Sequence, residues 1–252
     1  MKTVLITGSA GGIGSATVDA FREAGFAVIG LDRNPGPAAE RYTPVVVDVL
    51  DCEALERAMA PIDALHHVVC VAGGALVAEK ANWDPAALPV KTWRESIDQN
   101  LTGAFLTVRA ALPALRRGDG DRSISVASST DALLSTGMAP YAAAKAGLIG
   151  MVRALAGPLG AEGIRINAVA PGDVRTPRNA AEWSHIDGWY DRLSEATALK
   201  RLVTTEEVAS TFLSLAQSLT AVTGQLVVVD GGLSVNHVVS WSELSEDGRG
   251  TS

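Results

Sequence analysis

Eight residues near the N-terminus, Thr7-Gly8-Ser9-Ala10-Gly11-Gly12-Ile13-Gly14, constrain this chain more than any other stretch. They follow an apolar run, Thr3-Val4-Leu5-Ile6-Thr7, that reads as a buried strand. They precede Ser15 to Ala24, which reads as a helix closed by Gly25. In this setting each glycine has a physical task. Gly8 permits the sharp turn, Gly12 lets the backbone approach a pyrophosphate, and Gly14 lets the helix pack closely on the strand. The amides at the helix start, Ile13 among them, then face the phosphates.

The same alternation runs on through the chain. Residues 27–31, 45–47, 67–71, 123–127, 165–170 and 225–229 read as strands. Helical patterns occupy 52–59, a long stretch from Lys91 past Asn100 toward Leu115 with room for a bend, Tyr141 to Leu159, and Glu206 to Ala216. Residues 75–90 are loop-like. The strands are continuously apolar, not alternating, which is the pattern of a parallel sheet covered on both faces. The β-α-β-α order predicts an α/β protein: a doubly wound parallel sheet (Rossmann fold) in a single domain, residues 1–235, followed by a polar tail, 236–252. A length of 252 residues with 47% hydrophobic content is enough for one large core.

A net charge of -7 argues against nucleic acid as a partner. The two cysteines, Cys52 and Cys70, form no C-x-x-C and sit in apolar surroundings, so reduced thiols and no metal site are expected. The N-terminus lacks a signal-peptide pattern, and no stretch reads as a membrane span, so a soluble cytoplasmic protein is expected.

Asp32 ends the second strand, 24 residues after Gly8. A carboxylate there accepts hydrogen bonds from both adenosine ribose hydroxyls and repels a 2′-phosphate, which favours NAD over NADP. Arg33 is the opposing feature, since a guanidinium binds that phosphate. Tyr141 and Lys145 lie at i and i+4 on one helix face. A free tyrosine has a pKa of about 10, too high for a base near neutrality, and a nearby ammonium favours the phenolate. The pair therefore suits proton exchange with a carbonyl or alcohol oxygen. Ser128, thirteen residues before Tyr141 and just past the fifth strand, can polarise a carbonyl; Ser129 competes for the same role.

With these residues in place, the chain resembles the short-chain dehydrogenase/reductase family in its compact single-domain form. The resemblance covers residues 1 to about 235. It is carried by TGSAGGIG at 7–14, Asp48-Val49, Ala72-Gly73, Asn100 in NLTG, Ser128, YAAAK at 141–145 and PGDVRT at 171–176. It implies that Tyr141 is the catalytic acid/base and that Lys145 lowers its pKa and holds the nicotinamide ribose. It implies that Ser128 orients the substrate oxygen and that Asn100 fixes a water linking Lys145 to solvent. Asp48 and Val49 would flank the adenine, and Ala72, Gly73, Pro171 and Gly172 would line the cofactor. Val174 would bond the carboxamide through its backbone, and Thr176 would contact the nicotinamide end. One departure is Cys70-Val71-Ala72-Gly73, where the family has Asn-Asn-Ala-Gly.

The implied reaction is direct hydride transfer between C4 of the nicotinamide and a carbon bearing oxygen, on a small to medium, largely apolar secondary alcohol or ketone, with cyclic or hydroxylated compounds within the class. Residues 177–201 carry Trp183, His185, Trp189 and Tyr190, and large rings in a loop point to a lid, with Trp183 and Trp189 against substrate. Trp83 and Trp93 would flank the other side of the crevice. The Tyr141 helix is small or apolar almost all round, and with the stretch near Phe105 to Leu115 it is expected to form the interface of a homotetramer. The alternatives are a 3-oxoacyl thioester reductase using NADPH and a nucleotide-sensing protein without turnover.

Overall fold

The computed structural model describes residues 1–80, 84–184 and 186–236; Trp83, His185 and the tail from 237, on which expectations above fall, lie outside the described residues. Seven strands form one sheet: β1 (Thr3–Thr7), β2 (Ala27–Asp32), β3 (Tyr42–Val46), β4 (His67–Cys70), β5 (Arg122–Ala127), β6 (Ile164–Pro171) and β7 (Leu226–Val229). Every pairing is parallel, in the order β3-β2-β1-β4-β5-β6-β7. The expected doubly wound sheet is therefore the observed one. All eight residues of β6 are buried, Arg165 and Asn167 among them, as expected of a strand covered on both faces.

The helices are α1 (Gly12–Glu23), α2 (Cys52–Met59), α3 (Val77–Lys80), α4 (Val90–Ile97), α5 (Gly103–Arg117), α6 (Ala139–Ala161), α7 (Pro177–Trp183), α8 (Trp189–Ala196) and α9 (Thr205–Gln217). One core lies where Leu55 of α2, Val108 and Leu115 of α5, and Leu148 and Val152 of α6 meet Leu5, Val68 and Ile124 of the sheet. The other lies on the opposite face, where Val18 and Phe21 of α1 and Val208 and Phe212 of α9 meet Val4, Ile6 and Val169.

Three elements differ from expectation. The long helix after residue 90 is α4 and α5 joined by a π-helical turn at Asp98–Thr102, and that turn contains Asn100. The segment 177–201 is not a loop but two short helices, α7 and α8, and residues 77–80 of the expected loop form α3. The third difference concerns hydropathy. By length and composition α6 is apolar enough to cross a membrane, although no such stretch was expected. Its many small residues raise the mean hydropathy, but its buried side packs on β6 and holds Lys145 at 3% exposure.

The glycine turn works by proximity. Gly8 has φ +69°, in the left-handed region that glycine adopts freely. A Cβ on Gly14 would stand 1.9 Å from the Gly8 carbonyl oxygen, so α1 sits closer to the turn than any side chain permits. Gly14→Ala is expected to destabilise the fold by about 3 kcal/mol through this backbone clash, measured as a lower urea midpoint.

Candidate active site

In a parallel sheet the carboxyl ends of all strands reach one edge. Here β2 and β3 lie on one side of β1, and the chain crosses over to place β4 on the other. The connections leave β1 and β4 in opposite directions, and a crevice opens between them. A cavity of about 430 Å³ occupies that edge. Gly8, Gly12, Ile13, Gly14, Asp32, Asp48 and Val49 line one end; Ala72, Gly73, Ser128, Tyr141, Lys145, Pro171, Gly172, Val174 and Thr176 line the rest. Tertiary structure thus brings the expected cofactor residues together with the Tyr/Lys pair.

At the turn end, the Asp32 carboxylate is held in place by two backbone donors, Ala10 N at 3.1 Å and Asn34 N at 3.0 Å. Arg33 lines the same end. Gly12 stands against Thr176, where a Cβ would meet the threonine methyl at 2.9 Å, so side-chain bulk would fill the cradle. Bare backbone, helix-start amides and an anchored carboxylate suit a dinucleotide.

At the other end, Lys145 Nζ donates to the Ala127 carbonyl at 2.8 Å and lies 5.4 Å from the centre of the Tyr141 ring. Burial pushes the lysine down to about 8. The Tyr141 phenol is pushed up, first by burial and then by the Asp131 and Glu79 charges, while a hydrogen bond with Ser129 acts in the opposite direction. Burial and the acidic neighbours thus oppose the effect expected of a nearby ammonium. The cleft wall removes the water that would solvate a phenolate, and the ammonium is turned toward a carbonyl.

The two candidate serines are held differently. Ser128 Oγ donates to the Lys145 carbonyl at 2.8 Å and so ties the end of β5 to α6. Ser129 is the serine near enough to the Tyr141 phenol to lower it. Ser129 caps the short turn Thr130–Ala132, and this capping swings its hydroxyl into the cleft. Asn100 is 1% exposed and does not line the cavity. Its Oδ1 accepts from Gly74 N at 2.7 Å, and its Nδ2 donates to the Ser96 carbonyl at 3.0 Å and the Gly74 carbonyl at 3.2 Å. The π-turn disrupts the normal helical ladder, and the asparagine side chain bonds the carbonyl four residues back. In this geometry Asn100 fastens the Gly73-Gly74 loop beside Lys145.

Residues that sequence reading missed complete the wall. Glu79 is 1% exposed and accepts from Leu76 N, Ser96 Oγ and Tyr141 N, so a carboxylate sits at the start of α6 and sets the height of the tyrosine. Lys80 pairs with Glu182, Arg178 also pairs with Glu182, and Arg178 donates to the Ala75 carbonyl at 2.6 Å. These bonds pin α7 over the cavity. Trp183 lines it; Trp189 does not, and instead packs edge-on behind Trp183 with ring centres 5.9 Å apart. Trp93 is exposed on α4 and is absent from the lining. Asp131 and Asp173 also face the cavity, which makes this end polar where a largely apolar substrate was expected. Asp131 carries no spacing signal and Asp173 stands in sequence only as part of PGDVRT; folding brings both to one cavity.

Comparison with known proteins agrees with this geometry. A family model described as enoyl-(acyl carrier protein) reductase matches residues 8–234. A probable galactose dehydrogenase of Rhizobium meliloti is 33% identical over 92% of this chain and 94% of its own length. An oxidoreductase of the short chain dehydrogenase/reductase family from Burkholderia thailandensis is 35% identical, with a TM-score of 0.86 and 97% of each chain covered. A ligand-free aldohexose dehydrogenase of Thermoplasma acidophilum is 28% identical, with a TM-score of 0.86 over 95% of this chain and 96% of its own.

Burial, reinforced by the Asp131 charge, raises the Asp173 carboxyl from 3.8 to about 6. An unfolded chain ionises this group first, so the native state bears the full penalty above pH 6 and none below pH 4. Asp173→Asn is therefore expected to stabilise the protein by on the order of 2 kcal/mol at pH 7, a gain that fades as pH falls from 6 to 4 in parallel urea titrations.

Proposed function

The chain belongs to the short-chain dehydrogenase/reductase family of oxidoreductases, and on that premise we propose that it transfers a hydride between NAD(H) and a secondary alcohol or ketone, with Tyr141 as the acid/base. The observation that carries this reading is one continuous cleft with the glycine turn and Asp32 at one end and Tyr141 and Lys145 at the other. A bound nicotinamide supplies or accepts the hydride. Gly8, Gly12, Ile13 and Gly14 would hold the pyrophosphate, Asp32 the adenosine ribose, Asp48 and Val49 the adenine, and Val174 and Thr176 the carboxamide end.

The chain's own groups handle the proton. In alcohol oxidation the Tyr141 oxygen takes the hydroxyl proton; in ketone reduction it returns one. Ser129 lies close enough to lower that phenol and would orient the substrate oxygen, while Ser128 braces α6. Lys145 keeps a positive charge beside the phenol, and charges near Tyr141 decide how readily it ionises. Asp32 favours NAD, because the anchored carboxylate accepts from ribose hydroxyls and repels a phosphate. An acyl thioester is the weaker reading, since Asp131 and Asp173 would be stripped of water by an acyl chain and left without donors. A homotetramer in the cytoplasm belongs to the same proposal; half-exposed Phe105 on α5 and the apolar outer side of α6 are the surfaces it would cover.

Tyr141→Phe is expected to lower kcat at least 100-fold while changing the Kd for NADH by less than about threefold, since only the proton carrier is lost. In steady-state assays of the native enzyme, kcat/KM with NAD should exceed that with NADP by at least about tenfold. A wild-type kcat in the Tyr141 variant, or a preference for NADP, would overturn the respective assignment.

A further inference from the structure

We infer that Asp131 and Asp173 determine specificity by accepting hydrogen bonds from hydroxyls that flank the reacting carbon, so that the substrate is a polyhydroxylated ring, a cyclic vicinal diol or a pyranose. The inference rests on the reading of Tyr141 as the reacting end of the cleft, and names what that end is shaped to hold.

Both carboxylates line the cavity with Tyr141 and Lys145. Asp131 lies close enough for its charge to act on Tyr141, Lys145 and Asp173 alike, so the four groups form one cluster. Asp131 already accepts from Ser129 Oγ at 2.6 Å. No described residue donates a hydrogen bond to the Asp173 side chain. An ionised carboxylate only accepts, and it has sites for several donors. When substrate displaces the water here, those donors must come from the substrate. A plain alkanol or ketone would leave Asp173 without a donor and Asp131 with Ser129 alone, which is unfavourable for desolvated carboxylates.

Two cations in the same lining narrow the class. Lys80 and Arg178, bound to Glu182, line the same cavity and can only donate. An ammonium would satisfy the aspartates but meet these cations; a carboxylate would do the reverse. A hydroxyl both donates and accepts, so it suits both kinds of group. The ring of Trp183 also lines the cavity, packed against Trp189 and Tyr190 with ring centres 5.9 and 6.0 Å away. A saturated ring with a hydroxyl rim offers the matching surfaces: C–H bonds for the indole and hydroxyls for the polar groups. A substrate hydroxyl can donate to Asp131 beside Ser129, since the carboxylate has room for both donors.

The test compares cyclohexanol, cis- and trans-cyclohexane-1,2-diol and a panel of aldopyranoses as substrates with saturating NAD. The preferred diol or pyranose should exceed cyclohexanol in kcat/KM by at least about 100-fold, in the manner of sites built to bond a hydroxyl. Asp131→Ala and Asp173→Ala should each cut that ratio at least tenfold; Asp131→Asn and Asp173→Asn, which keep the side-chain shape, should cut it in the same direction. Tryptophan fluorescence of the enzyme–NADH complex gives a readout without turnover, in which polyol affinity should fall at least tenfold in the alanine variants. Cyclohexanol or an aminocyclohexane turned over as well as the diols would overturn the inference, as would ratios and affinities unmoved by the substitutions. If no compound is oxidised yet polyols bind in an aspartate-dependent way, the hydride-transfer reading fails and this inference stands.

Discussion

The structure depends on a crevice that no side chain makes. Parallel strands deliver their carboxyl ends to one edge, and the crossover from β3 to β4 forces neighbouring connections to part beside β1. The gap exists because the sheet is wound in two directions from β1. Everything chemical in the molecule is arranged around it: the bare-backbone turn before α1, the end of β2 at Asp32, the end of β5 at Ser128 and Ser129, and the end of β6 leading to Asp173 and Thr176. The two apolar cores on either face hold the strands rigid enough for loops to be placed accurately.

Burial then sets the electrostatics. The same packing that protects the cleft raises the Tyr141 phenol and lowers the Lys145 amine, so both neutral forms are favoured relative to water. The carboxylates around them are mostly tied down. Glu79 receives three donors and holds the start of α6, while Glu182 joins Lys80 and Arg178 across the mouth. Asp173 is the exception, a part-buried acid bearing a stability penalty, as groups kept for binding often do.

The parts that were legible in sequence share a cause. Strand runs, helix periodicity, the glycine turn and the Tyr/Lys spacing are local, because their spacing along the chain directly sets their spacing in a strand, turn or helix. Misreadings came where a local rule met a tertiary constraint. Counting back from Tyr141 left Ser128 and Ser129 as candidates; folding ties Ser128 to the Lys145 carbonyl and makes Ser129 the cap of the turn at Thr130–Ala132. The long helix after residue 90 was visible, yet its π-turn was not, since the widening at Asp98–Thr102 accompanies the fastening of Asn100 to Gly74. Trp189 and Trp183 looked equivalent in the lid; only packing put one in the cavity and the other behind it.

By itself, then, the amino-acid order determined a doubly wound parallel sheet, a dinucleotide-sized turn beside an anchored acid, and a tyrosine and lysine on one helical face. These follow from periodicity and backbone sterics over a few residues. Tertiary structure alone decided which serine meets the tyrosine and what the asparagine fastens. It also decided that Asp131 and Asp173, forty-two positions apart, share one cavity with Lys80 and Arg178. Such contacts arise from loops at different strand ends converging on the same edge, and no spacing along the chain encodes them.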